Sequence, residues 1–184
     1  DIVDLNLAKA ESNWQRKGFL EKQFTKKEQE IILKATDSFL QVWQFWTMKE
    51  AAYKCYIQKH KKRFFAPLKF VCSLVSENEG FVSFEENKYD TTSFINSFYV
   101  YSIAKNASKE TQVFSSIGSP KTIAKDIKQA LQEKTGILSA EIQQRKSSIG
   151  APLYYCNEKA ITTSCTITHH GNYGAFAFIL ENEY

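Results

Sequence analysis

The stretch DSFLQVWQFWTMKEAAYKCYIQKHKKR, residues 37–63, decides the fold. No Gly or Pro interrupts residues 37–65. Phe39, Val42, Trp43, Trp46, Tyr53 and Tyr56 recur at helical spacing and form a wide apolar stripe. Asp37 or Ser38 offers a side-chain oxygen to the free N–H groups of a first helical turn. The pattern predicts one long helix as the central element of the core.

Upstream, DIVDL (residues 1–5) alternates apolar and acidic residues and suits a strand. Lys9 to Lys17 reads as a helix stopped by Gly18. Thr25-Lys26-Lys27-Glu28 is a capping box, followed by a helix carrying Ile31, Ile32 and Leu33. Downstream the character changes. Residues 69–75, 80–85, 97–104 and 111–117 read as strands, rich in Val, Phe, Tyr and Ser. Ser119-Pro120 opens a helix whose apolar face is Ile123, Ile127, Ala130 and Leu131, and Gly136 ends it. Residues 151–156, 160–168 and 173–180 read as further strands, the last two flanking a hairpin turn at His169-His170-Gly171-Asn172. The class is α+β: an antiparallel sheet packed on a long central helix, within one domain spanning 1–184.

Composition narrows the chemistry. At 184 residues the chain can bury one sizeable core, and 43% hydrophobic residues make it globular. No apolar run approaches the roughly 20 residues of a membrane span, and no leader segment is visible at the start. Four cysteines without a C-x-x-C pair argue against a zinc site and read as reduced thiols of a cytoplasmic protein. The net charge of +4 points mildly to an anionic partner. QKHKKR (residues 58–63) concentrates that charge at the end of the long helix, where cations meet the negative end of the dipole.

Four short stretches carry candidate chemistry. Alone, Asp1 and Asp4 read as solvent-facing residues of an edge strand; functionally, a carboxylate at a strand start suits a hard cation. Glu50 and Lys54 are four apart on the helix, hence on one face. Such a pair is ordinarily a surface pair, but Trp43, Trp46 and Tyr53 around it place it at the rim of a cleft. Gly150-Ala151-Pro152-Leu153 is a loop before a strand. In Thr166 to Ala175, His169 and His170 point to opposite faces of a strand and cannot chelate one metal, so one faces inward and one outward.

In this order, DIVDL, WTMKEAAYK (residues 46–54), GAP (150–152) and TITHHGNYGAFA (166–177) resemble the 4′-phosphopantetheinyl transferase superfamily, in its holo-(acyl carrier protein) synthase-like form. The resemblance implies an antiparallel sheet on the central helix, with residues about 75–147 inserted into the minimal module. It implies transfer of the phosphopantetheine arm of coenzyme A to a serine of an apo acyl or peptidyl carrier protein, releasing 3′,5′-ADP. Asp1 and Glu50 would hold Mg²⁺, with water taking the third carboxylate's place at Val3. Glu50 would take the serine proton, and Lys54 would contact the phosphate under attack. Lys49 would be a second phosphate contact. Thr168 and His169 fall where the family binds coenzyme A. Lys62 and Arg63 would meet its 3′-phosphate, on charge and position alone. Family members are trimers or monomers, and either is open to this chain. The competing reading is a non-catalytic, basic, aromatic-rich module binding an anionic partner such as nucleic acid. The ordered motif set favours the transferase, and with it no nucleic acid and no membrane partner.

Overall fold

The structure, a computed structural model, describes residues 1–184 except Phe65, Lys109 and Glu183. Phe65, the last residue of the uninterrupted stretch, therefore lies outside the described residues.

The long helix is there. It is α4, Ser38–His60, and the Asp37 carboxylate caps it by accepting the Leu40 N–H at 2.9 Å. Lys61 ends it in the left-handed region, with φ 55°. The buried face is wider than the stripe read from the sequence. Phe45, Met48 and Ala52 are fully enclosed, as is Val42. Each large apolar side chain so buried contributes about 1.5–3 kcal/mol.

Among the described residues, shorter α-helices accompany it: α1 (Leu5–Glu11), α2 (Phe19–Gln23), α3 (Lys26–Lys34) and α5 (Ile123–Thr135). The expected helix at 9–17 is corrected to α1. The Asp4 carboxylate accepts the N–H groups of Asn6 and Leu7, so the helix starts four residues earlier. Gly18 does not stop a helix but precedes α2, with φ 83°. The Thr25–Glu28 capping box forms as read. Gly136 closes α5 in the left-handed region.

The strands are β1 (Ile2–Asp4), β2 (Val71–Leu74), β3 (Glu79–Phe84), β4 (Asn87–Ile95), β5 (Tyr99–Asn106), β6 (Phe114–Gly118), β7 (Gln143–Lys146), β8 (Pro152–Cys156), β9 (Lys159–Ala160), β10 (Thr162–His170) and β11 (Tyr173–Leu180). They make three antiparallel sheets, in the orders β1-β5-β4-β3-β2, β10-β11-β6 and β7-β8-β9. α4 packs on the first sheet, with Val82, Phe84 and Val100 against it. α5 packs Ile123, Ile127 and Leu131 on Phe176, Phe178 and Tyr154. β3, β4 and β5, within the stretch expected as an insertion, supply the sheet on which α4 lies and to which β1 pairs.

A small cluster of Ile2, Tyr101 and Ala175 joins the two halves. The Tyr101 hydroxyl donates across the seam to the Phe176 carbonyl at 3.1 Å. Gln58, near the end of α4, accepts the Ser164 hydroxyl at 2.8 Å and the Cys165 N–H at 3.3 Å. β1 thus lies between the halves, paired through its backbone with β5 and facing β10 through side chains.

Candidate active site

The first strand delivers Asp1 to the seam, where three elements meet. Asp1 Oδ1 accepts from Lys54 Nζ of α4 at 2.6 Å and from the Thr168 hydroxyl of β10 at 2.8 Å. Both charged side chains are mostly covered, Lys54 24% and Asp1 13% exposed. A cavity of about 50 Å³ opens beside them. Its polar lining includes Asp1, Lys54, Gln58, Ser102, Ser164 and Thr166.

Glu50 stands one turn before Lys54 and is half-buried. Burial raises its carboxyl above the ordinary 4.5, and the Lys54 charge opposes the rise. Burial also lowers the Lys54 ammonium to about 8, opposed by Glu50. The Asp1 carboxylate at 2.6 Å favours the charged form too. Lys54 therefore stays mostly cationic at neutral pH, and its charge acts on both carboxyl groups.

Glu50 lines a small cavity with Lys49, Tyr53, Phe64 and Phe70, apart from the cavity beside Asp1. Glu50 accepts no hydrogen bond, and the second oxygen of Asp1 has no hydrogen-bond partner, among the described residues. An acidic group left without donors in a half-buried site is a group available to a metal. No cluster of three or more His, Cys, Asp or Glu side chains gathers for a metal among the described residues. Two carboxylates with water and phosphate oxygens completing the shell is a pattern Mg²⁺ accepts.

Not every predicted residue joins this group. Lys49 carries a correction: its ammonium is buried on the Glu28 carboxylate at 2.8 Å and donates to the Pro67 carbonyl at 3.0 Å. Glu28 in turn accepts the N–H groups of Thr25 and Cys72, both at 2.7 Å. With two of its three donors taken there and its charge paired with Glu28, Lys49 ties α3, α4 and β2 together instead of standing free for a phosphate. Lys62 and Arg63 lie past the end of α4 and are exposed. The Arg63 guanidinium donates to the Ile149 carbonyl, Nε at 3.1 Å, and so reaches the loop before Gly150-Ala151-Pro152. His169 is exposed, while His170 turns inward and accepts the Asp4 N–H through Nδ1 at 3.0 Å.

Sequence reasoning gave Gln58, Ser102 and Asn172 no role in this region. Each works through a partner more than forty positions away, and no local pattern marks such a pair.

Fold and site together define an α+β protein with a carboxylate, lysine and hydroxyl gathered between two halves, beside a second half-buried carboxylate. Residues 1–111 match the model of the 4′-phosphopantetheinyl transferase superfamily. That is more than half of the chain, and the chain belongs to this superfamily. No curated protein and no solved structure matches it. The matched part contains Asp1, Glu50 and Lys54; Thr168 and His169 lie beyond it.

Proposed function

We propose that this chain transfers the 4′-phosphopantetheine of coenzyme A to a serine of an apo acyl or peptidyl carrier protein, as a transferase of the holo-(acyl carrier protein) synthase type with the superfamily's characteristic fold. One observation carries the reading: Lys54 bonds the Asp1 carboxylate while its charge acts on the half-buried Glu50 one turn away.

The chemistry follows from these side chains. The serine hydroxyl attacks the phosphorus attached to pantetheine. A new O–P bond forms, the pyrophosphate O–P bond breaks, and 3′,5′-ADP leaves with the bonding pair. Glu50 accepts the hydroxyl proton; desolvation makes it a stronger base than a solvated carboxylate. Lys54 places positive charge where negative charge develops on the attacked phosphate. Asp1 and Glu50 would hold Mg²⁺, which when bound supplies charge against the pyrophosphate oxygens. Thr168, His169, Lys62 and Arg63 would line the path of coenzyme A. A cytoplasmic site of action suits the four free cysteines.

The test is labelling of apo carrier proteins with a fluorescent coenzyme A in the presence of Mg²⁺. Wild type is expected to label at least one of a panel of fatty acid, polyketide and peptide-synthesis carriers. Glu50→Ala and Lys54→Ala should abolish labelling with circular dichroism unchanged. Robust labelling by Glu50→Ala would remove the basis of the assignment.

A further inference from the structure

Asp4 has no part in the chemistry just described, yet it is 1% exposed and fully engaged. Oδ1 accepts the N–H groups of Asn6 and Leu7, both at 3.0 Å. Oδ2 accepts the Asn172 N–H at 3.0 Å and the Asn172 side-chain amide at 3.4 Å. The Asp4 N–H itself donates to His170 Nδ1. Gly171 completes the fit. A Cβ there would stand 2.4 Å from Oδ2, and its φ of 56° favours glycine independently.

These contacts hold the β10–β11 turn against the end of β1. The other end of the same seam is the Thr168–Asp1 bond. β1 pairs through its backbone with β5, and β10 with β11, so no backbone ladder sets β1 against β10. Among the described residues, the hydrogen bonds that set one against the other lie at two points, Asp1 with Thr168 and Asp4 with His170 and Asn172, beside the apolar contact of Ile2 with Ala175.

We propose that Asp4 is a positioning residue, which clamps the β10–β11 turn so that Thr168 is held on Asp1 in the active site. The inference rests on the transferase reading for its consequence in activity, and on geometry alone for the clamp. Loosening the turn lets β10 shift along β1, and a displacement of about 1 Å at a reacting centre costs on the order of a hundredfold in rate.

The experiment is a double-mutant cycle. Asp4→Asn keeps a good helix cap, since Asn is among the best N-cap residues. Its amide cannot accept from both α1 and the turn, as the carboxylate does. Thr168→Val removes the hydroxyl. kcat/KM for coenzyme A is measured for wild type, both single variants and the double, with melting temperatures alongside. Well-separated sites that act independently combine multiplicatively in rate. Each single change is expected to lose about tenfold, and the double little more than the worse single, a coupling of about tenfold. Losses that multiply would reduce Asp4 to a structural cap and overturn the proposal. Should Asp4→Asn not fold, His170→Ala replaces it in the same cycle with the same expected coupling. If wild type labels no carrier, the transferase reading fails, and the clamp is judged by amide hydrogen exchange over residues 166–170. Faster exchange there in Asp4→Asn upholds the clamp, and unchanged exchange refutes it.

Discussion

Lys54 and Lys49 are five residues apart on one helix and end in opposite roles. Five positions of α-helix turn a side chain well off the original face. Lys54 reaches Asp1 at the seam, while Lys49 is enclosed with Glu28. The motif WTMKEAAYK contains both lysines and does not say which will be buried. Only Glu28, twenty-one positions upstream, decides that. The environment of Lys54 leads to a pH prediction. Its ammonium is lowered to about 8 by burial. A lysine is charged below its pKa, so the proposed phosphate contact would be made at neutral pH and lost as pH rises through that value. Transfer by wild type is expected to decline between about pH 7 and about pH 9, where an unperturbed lysine stays charged. Lys54→Arg, charged throughout, should be slower but flat over that interval. A pH–rate profile of single-turnover transfer distinguishes them, and parallel declines in both proteins would exclude Lys54 as the titrating group.

At the scale of elements, local capping chemistry makes α3 and α4 legible but not α1, whose Asp4 cap lies in a stretch that reads as a strand. Asp37 caps α4, and Thr25 with Glu28 boxes α3, as their spacing requires. β4 does not read as a strand from its residues, and its buried face shows why. The inward positions are Tyr89, Thr91 and Ser93, so the strand hides its polar residues instead of showing an apolar alternation. For Ser93 that burial becomes tolerable only in three dimensions: its hydroxyl meets Ser102 at 2.9 Å, which meets Thr47 of α4 at 2.7 Å, whereas the Tyr89 and Thr91 hydroxyls are buried with no hydrogen-bond partner among the described residues. Glu28 belongs to the same class of buried polar group, with higher stakes. Glu28→Gln leaves the Lys49 ammonium without its anion in the interior. Breaking one side of such a pair costs about 3–5 kcal/mol, whereas replacing both members with apolar residues is often neutral. Urea titration should therefore show a large drop in midpoint for Glu28→Gln and recovery of only part of it in Glu28→Met/Lys49→Met, which leaves the Thr25 and Cys72 N–H groups without their Glu28 acceptor. A Glu28→Gln midpoint equal to that of wild type would mean that the pair adds nothing to the docking of α3.

The whole molecule is organised by its seam. The sequence displayed DIVDL and the closing THHGN segment as separate motifs, more than 160 positions apart, and nothing in either motif indicates that they touch. Folding brings Asp1 to Thr168 and Asp4 to Asn172, so one short stretch of chain at β1 carries both the carboxylate proposed for the active site and the proposed clamp. The seam has a pH dependence of its own. Burial by itself would raise the Asp4 carboxyl above its ordinary 3.8, but the backbone N–H groups of Asn172, Leu7 and Asn6 outweigh burial and hold it lower. A carboxyl depressed on folding contributes stability that is complete above the unfolded-state value and drains away as pH falls through the folded-state value. Asp4→Asn, which cannot ionise, lacks that contribution at every pH. The melting temperature of wild type should exceed that of Asp4→Asn at neutral pH, and the gap should close as the buffer is taken below about pH 4. A gap that persists undiminished in acid would mean that shape alone, and not the charge of Asp4, joins the two halves. A gap that closes would show that the carboxylate's accepted hydrogen bonds hold β1 between its neighbours.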